Sequence, residues 1–266
     1  MKRLLILCFI HILNHANMYA QTQHSVAVGM GTANVLDTYL SPYNYKGTGV
    51  AVQRETQRRV TTFGINNISF QTLLDLNAQF LDNPAKNVDG LAGGARYALA
   101  WKKHIRQWNV GMAKISLEAG PMASAYIGAV YNDRNGNNPA QAKADIMIDA
   151  TAAAKCEFRA LKKNMTLSYQ LAFPLAGLAF SPNYGQSYYE AFVKDDYDKN
   201  IVFANFVNMT SARHMLNLDI QVSSKHRTAC RIAYLGYFMQ SRFNSLRYHS
   251  YTNSFLIGFT KFFKTL

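Results

Sequence analysis

The stretch Tyr248 to Leu266 reads YHSYTNSFLIGFTKFFKTL. Phe255, Ile257, Phe259 and Phe263 fall on one parity, broken by Lys261. Ser250, Thr252, Ser254, Gly258 and Thr260 fall on the other, broken by Leu256 and Phe262. Successive side chains of an extended backbone point to opposite sides, so this period of two describes a β-strand with one apolar and one polar face. Placed at the end of a chain that opens on an export signal, such a strand points to an all-β fold. The expected form is a single transmembrane antiparallel up-and-down barrel, with the apolar parity against lipid and the polar parity toward the lumen.

The first twenty residues read as an address. Lys2 and Arg3 form a basic start, Leu4 to Leu13 an apolar run interrupted by His11, and Ala20 a small residue before Gln21. The run is short for a membrane anchor. Cys8 lies within it and follows Leu7, which does not suit lipid attachment. The expected organisation is a cleaved signal peptide over residues 1–20 and one barrel domain over residues 21–266, placed in the outer membrane.

Without Lys2 and Arg3 the 28 basic residues become 26 against 15 acidic ones, a net charge of +11. The basic residues gather at turn-like places: Arg58-Arg59, Lys102-Lys103 with Arg106, Lys162-Lys163, Lys225 with Arg227, and Arg242 with Arg247. In an exported protein such clusters meet anionic head groups or solvent, and no aromatic-basic recognition motif points to nucleic acid. Cys156 and Cys230 both fall on the apolar parity. Spacing leaves open whether they pair, and it offers no zinc motif.

Alternation recurs. Ile146, Ile148, Ala150, Ala152, Ala154, Cys156 and Phe158 oppose Asp145, Asp149, Thr151, Lys155 and Glu157. Met165, Leu167, Tyr169, Leu171 and Phe173 oppose Thr166, Ser168 and Gln170; Leu216, Leu218, Ile220 and Val222 oppose Asn217, Asp219 and Gln221. Similar pairs of faces surround Tyr97 to Trp101, Ile115 to Leu117 and Cys230 to Phe238. Period alone does not orient the faces. A soluble secreted sandwich or lipocalin-like barrel would turn the apolar one inward.

Connector lengths support the membrane form. Short polar turns are expected near Arg58, between Lys103 and Trp108, at Lys162 to Asn164, at Met209 to Ala212 and near Lys225. Longer loops are expected at Asp37 to Gly47, Asn77 to Gly93, Asn132 to Ala142 and Leu175 to Asn200. The pattern accommodates ten to twelve strands and favours twelve, with Leu175 to Phe206 able to conceal a further hairpin.

The polar parity carries a ladder of candidate lumen charges: Arg96, Lys102, Lys114, Glu118, Asp145, Asp149, Lys155, Glu157, Asp219, Arg227 and Arg231. They read either as a selectivity-determining channel or as a pairing network filling a narrow lumen, because a charge there needs a partner or water. No catalytic, cofactor-binding or metal-ligating set emerges. His249 and Ser250 are adjacent and would point to opposite faces, and no nucleophile elbow or nucleotide loop is present. Ser181 to Tyr189 is dense in hydroxyls and aromatics, which fits an interfacial aromatic girdle or a ligand-contacting outer loop.

SPNYGQSYYEAF at Ser181 to Phe192, NLDIQV at Asn217 to Val222, GYFMQSRFNSLRYHSYTNSFLIGFTKFF at Gly236 to Phe263 and SPYNYKGTGV at Ser41 to Val50 carry a resemblance. Together they resemble an uncharacterised family of exported Gram-negative proteins regarded as outer-membrane β-barrels of unknown function. The resemblance implies the fold and location and transfers no functional residue. The expected role is a small pore, binder or structural barrel. A barrel hydrolase acting on lipid or peptide and a soluble secreted β-protein are the alternatives. Expected partners are membrane lipid and the barrel-assembly machinery, with no cofactor and no nucleic acid; a small-molecule or carbohydrate ligand stays open.

The signal reading is checked by intact mass. Protein isolated from the outer membrane should begin near Gln21, and a mass that still includes residues 1–20 would contradict it.

Overall fold

The computed structural model describes residues 22–62, 65–134, 136, 138–195, 197–223 and 227–263. The expected signal peptide, the turn residue Lys225, and Asn135 and Asn137 of one loop lie outside the described residues. In chain order the strands are β1 (Thr22–Asp37), β2 (Tyr45–Thr62), β3 (Ile65–Asp82), β4 (Asp89–Val110), β5 (Ala113–Asn132), β6 (Ala140–Ala160) and β7 (Lys163–Phe180). A short helix α1 (Tyr188–Phe192) follows, then β8 (Ile201–Asn205), β9 (Met209–Ser223), β10 (Thr228–Phe243) and β11 (Leu246–Phe263).

Every strand pair is antiparallel. β1 pairs with β2 on one side and β11 on the other, and β6 pairs with β7, so the sheet closes on itself. The closed cycle holds ten strands, and β8 is an additional strand. β8 lies along Ala176–Phe180 of β7, while β9 takes Met165–Ala172 of the same strand. The favoured count of twelve is therefore corrected to ten plus one. Leu175 to Phe206 holds the end of β7, α1 and β8 rather than a complete extra hairpin, and Met209 to Ala212 opens β9 instead of forming a turn.

The strands outrun the apolar band. β4 has 22 residues, which at ~3.3 Å per residue and a tilt near 45° is about 50 Å along the barrel axis. The polar segment Lys103 to Trp108 belongs to β4, and the chain reverses at Gly111, whose φ is 58°. The same end carries the Leu161-Lys162 reversal, with φ values of 51° and 61°, and both described termini of the barrel. At the opposite end the connections are mostly longer, spanning residues 38–44, 83–88, 133–139 and 181–200. The exception there is the two-residue turn Asn244-Ser245, whose φ values of 49° and 63° match the twist of a tight hairpin.

The apolar parity faces outward. Val26, Val28 and Met30 of β1 stand beside Phe259, Ile257 and Phe255 of β11, which stand beside Cys230, Ile232 and Tyr234 of β10. Phe255, Ile257 and Phe259 are 70%, 65% and 66% exposed, while Leu256 between them is fully buried in the interior. Leu167 is exposed as well, whereas Gln170, Asn217, Asp219 and Arg231 are buried. Apolar residues thus cover the outside, opposite to the arrangement of a soluble barrel. Cys156 and Cys230 are both free.

Small residues let the closing strands approach. A Cβ added at Gly31 of β1 would lie 1.8 Å from the Asn253 carbonyl oxygen of β11, so the two backbones would have to separate. Gly31→Ala should destabilise the barrel by ~1–3 kcal/mol, the usual cost of overpacking. Gly136→Ala, with nothing within 4 Å of the new Cβ, should have no measurable effect. Denaturant unfolding followed by tryptophan fluorescence compares the two, and equal stabilities would contradict this account.

Candidate functional site

The barrel interior is the candidate site, because that is where the charges converge. Arg231 on β10 lies directly opposite Asp219 on β9 in the register. Its guanidinium donates from Nε to Asp219 Oδ1 and from Nη2 to Asp219 Oδ2, both at 2.8 Å. Nη1 donates to Ser25 Oγ at 2.7 Å and to Glu55 Oε2 at 2.5 Å. Thr260 Oγ1 donates to Asp219 Oδ1 at 2.7 Å. Gln71 Nε2 donates to Glu55 Oε1 at 2.5 Å and to Gln170 Oε1 at 2.9 Å. Lys102 Nζ donates to Gln71 Oε1 at 2.9 Å and Gln170 Nε2 to Thr151 Oγ1 at 3.2 Å. Ser25, Glu55, Gln71, Lys102, Thr151, Gln170, Asp219, Arg231 and Thr260 stand on β1, β2, β3, β4, β6, β7, β9, β10 and β11. The network therefore engages every strand of the closed cycle except β5. It contains two acids and two bases, so its formal charge balances.

Beside it the lumen is filled with apolar groups. Leu73, Ala98, Ala100, Met122 and Ala172 form one buried cluster. Nearer the long-loop end two further groups lie deeper in the barrel. Arg213 donates to Asp75 through Nε at 2.6 Å and Nη2 at 3.1 Å, and Gln53 Nε2 donates to Asp75 Oδ1 at 3.1 Å. Arg96 meets Asp145 at 3.4 Å and donates to the Tyr237 hydroxyl at 3.0 Å, with its guanidinium over the Tyr126 ring at 5.0 Å. Ser124 Oγ donates to Asp149 Oδ2 at 2.6 Å. A cavity of about 60 Å³ separates the two groups and is bounded by Asp75, Arg96, Tyr126, Arg213, Tyr237 and Tyr248. That volume suits a few water molecules and no organic ligand of ordinary size.

The long-loop end is tied across. Lys143 pairs with Asp37 at 2.9 Å and its ammonium stands over the Tyr248 ring at 4.0 Å. The segment that carries α1 reaches three neighbours. Tyr39 of the first loop donates to the Gln186 carbonyl at 2.8 Å, the Ala142 N–H donates to the Tyr188 hydroxyl at 2.6 Å, and Asn244 Nδ2 donates to the Ser181 carbonyl at 2.9 Å. Burial raises the Tyr188 phenol to about 12. The helix starts on a capping box: Glu190 N–H donates to Ser187 Oγ, and Ser187 N–H donates back to the Glu190 carboxylate. That backbone bond holds the Glu190 carboxyl below its ordinary value.

The sequence-derived charges separate into two groups. Arg96, Lys102, Asp145, Asp149, Asp219 and Arg231 lie inside. Lys114 and Glu118 are half-buried toward the short-turn end, and Lys155 pairs there with Glu157 at 2.9 Å with both side chains substantially exposed. Arg227 sits in a reversal with φ 48°. Glu55, Asp75 and Arg213 are interior charges that the pattern reading missed. Glu55 was legible in principle, since Gln53 and Glu55 alternate with Val50 and Val52. Asp75 was hidden because its inward neighbour along the strand is Leu73, an apolar residue on the polar parity. His249 contacts Asn34 and stacks on Tyr251 on the outer face, while Ser250 lines the interior cavity, so these two do not act together. Among the described residues no group of three His, Cys, Asp or Glu side chains is placed to hold a metal ion.

Arg231→Leu would leave Glu55 and Asp219 buried without their shared cation. Removing one partner of such a buried set costs ~3–5 kcal/mol. Thr260→Val, which removes a single hydroxyl donor, should cost nearer ~1–3 kcal/mol. Urea unfolding of the refolded barrel measures both; a smaller loss for Arg231→Leu than for Thr260→Val would contradict the assigned hierarchy.

The solved outer-membrane protease OmpT from Escherichia coli matches with a TM-score of 0.54 and 8% identity, over 93% of this chain and 98% of that one. At that identity the likeness is one of fold. The translocator domain of the autotransporter NalP from Neisseria meningitidis matches with a TM-score of 0.38 and 9% identity, over 98% of this chain and 94% of that one. A comparison with curated proteins found no match. The family model described as "Protein of unknown function (DUF3316)" matches residues 3–266, and the chain belongs to that family.

Proposed function

We propose that this chain is an exported outer-membrane β-barrel whose interior is closed to passive flux, and that it works as a structural or ligand-binding barrel through its long-loop end and outer surface. The carrying observation is the ring from Ser25 through Glu55, Gln71, Lys102, Thr151, Gln170, Asp219 and Arg231 to Thr260. Its members bond to one another across the lumen, so a solute crossing there would have to break several buried charge-assisted bonds. The fold likeness to OmpT and the outward apolar band favour the membrane location. The cleaved signal and recognition by the barrel-assembly machinery belong to the same reading.

Two measurements test it. Purified protein reconstituted in a planar bilayer should show no stepwise ion conductance; a steady open channel would favour the pore. The membrane placement is tested separately by heat-modifiability on a gel and by outer-membrane yield. Phe259→Arg puts a charge on the exposed apolar band and should cost about 2–4 kcal/mol if that site lies near the bilayer middle. Thr252→Arg adds its side chain beside the interior cavity and should be milder. Assembly of Phe259→Arg at wild-type yield, with failure of Thr252→Arg, would reverse the assigned faces.

A further inference from the structure

Arg242 of β10 and Arg247 of β11 stand directly opposite each other across the hairpin closed by Asn244-Ser245. Both are exposed on the outer face. Like charges directly opposite on an antiparallel pair destabilise it. Among the described residues neither guanidinium has an ion-pair or hydrogen-bond partner; the bonds these residues make run through their backbones to Asn208 and Thr38. The two line an outer cavity of about 370 Å³, together with Thr210, Gln240 and His249, and no carboxylate lines it. Val207, on the same cavity wall, is 88% exposed.

What lies beneath sets the level of this pocket. Going down β11 from Arg247, His249 stacks on Tyr251 at 4.6 Å, and Tyr251 stacks on Phe238 of β10 at 4.7 Å. Below that stack come the exposed Phe255, Ile257 and Phe259. The four residues from Tyr251 to Arg247 rise about 9 Å along the barrel axis. An aromatic layer at the edge of the apolar band marks the membrane interface, so the arginine pair stands at head-group height. The neighbouring donors are already engaged: His249 with Asn34 at 3.3 Å, and Gln240 with the Tyr251 hydroxyl. The two guanidinium groups remain available to an incoming ligand.

We propose that Arg242 and Arg247 form a site for the phosphate of an outer-leaflet lipid, whose acyl chains descend along the Tyr251-Phe238 stack. A phosphate placed between the two guanidinium groups converts their repulsion into paired charge-assisted hydrogen bonds. The lipid, rather than free phosphate, is favoured because Val207 and the aromatic stack extend the basic pocket into an apolar wall. The site rests on the outer-membrane reading above.

The experiment uses the detergent-extracted full-length mature barrel, first shown to be heat-modifiable, so that failure of the membrane reading registers before any lipid is added. Native mass spectrometry then follows binding of short-chain phosphatidate, short-chain phosphatidylcholine and inorganic phosphate. A basic side chain at an anionic lipid surface is worth about fivefold in binding, and two about 25-fold. Wild type should prefer phosphatidate over phosphatidylcholine by about that factor. R242Q/R247Q should lose the preference, and each single variant should lose about fivefold. Lys46→Gln, an exposed base on β2, which β1 separates from β11, should retain it. If the double variant is not heat-modifiable, the two single variants carry the test. A preference that survives in R242Q/R247Q, or one that stays undiminished in both single variants, overturns the site. An equal loss in Lys46→Gln would mean generic rim charge and also overturns it. Inorganic phosphate binding as strongly as phosphatidate would overturn the lipid as its source.

Discussion

The structure depends on one guanidinium held between two buried carboxylates. Arg231 has 1% of its surface exposed, and Glu55 and Asp219 have 4% each. Ions removed from water to this degree are tolerated only when every lone pair and proton finds a partner. Here Asp219 takes both a bidentate fork and the Thr260 hydroxyl, and Glu55 takes Arg231 and Gln71. Arg231 and Asp219 are neighbours across one strand pair, but Glu55 lies on β2, with β11 and β1 between. The contact therefore joins strands that share no backbone hydrogen bonds. Through Gln71, Lys102 and Gln170 it passes the constraint on around the barrel.

This matters because the apolar face alone does not fix the register. A slip of one residue turns every side chain of a strand to the wrong face and would put Arg231 on the outer band beside Ile257 and Phe259. A slip of two residues preserves both faces. It would still move Arg231 away from Asp219 and offer Cys230 and Ile232 equivalent outer neighbours. Only specific inner partners and close backbone contacts distinguish that error. Gly29 and Gly31 do so at the β1–β11 seam, where an added Cβ would meet backbone oxygen at 1.8 Å. The polar ring does so around most of the circumference. Its role in specificity follows from the geometry even where its net stabilisation is small.

How much of this was legible in the sequence follows the same division. The faces of β6, β7, β9 and β11 were legible because the outer band is rich in Ile, Leu, Phe and Ala while the inner parity is largely polar. Strand ends were less legible. Past the apolar band both faces become polar, so Lys103 to Trp108 reads as a turn although β4 continues through it. Interior apolar residues blurred the pattern further: Leu73, Met147 and Leu256 occupy the polar parity and are almost fully buried. The partners within the site were not legible at all. Arg231 and Glu55 are 176 positions apart, and Arg213 and Asp75 are 138 apart. Alternation identifies inward residues, but only the closure of the sheet and its register decide which of them meet.

A lumen occupied in this way shifts where recognition can occur. Most inner charges are engaged by neighbouring side chains, with Arg213 Nη1 left without a hydrogen-bond partner, so a solute would have to displace partners already in place. The cavity between the Arg213 and Arg96 groups is too small for an ordinary organic ligand, and the Lys143-Asp37 pair with the α1 segment ties the long-loop end above it. The outer surface has the opposite character. Beyond its apolar band it holds two facing arginines whose side chains have no partner among the described residues, next to an exposed valine and a stacked aromatic layer. The same alternation that pairs charge inside leaves this unpaired charge outside, beyond the exposed apolar band. On the proposed reading the chemistry open to a partner lies on the outer wall and rim, while the interior holds the wall in register.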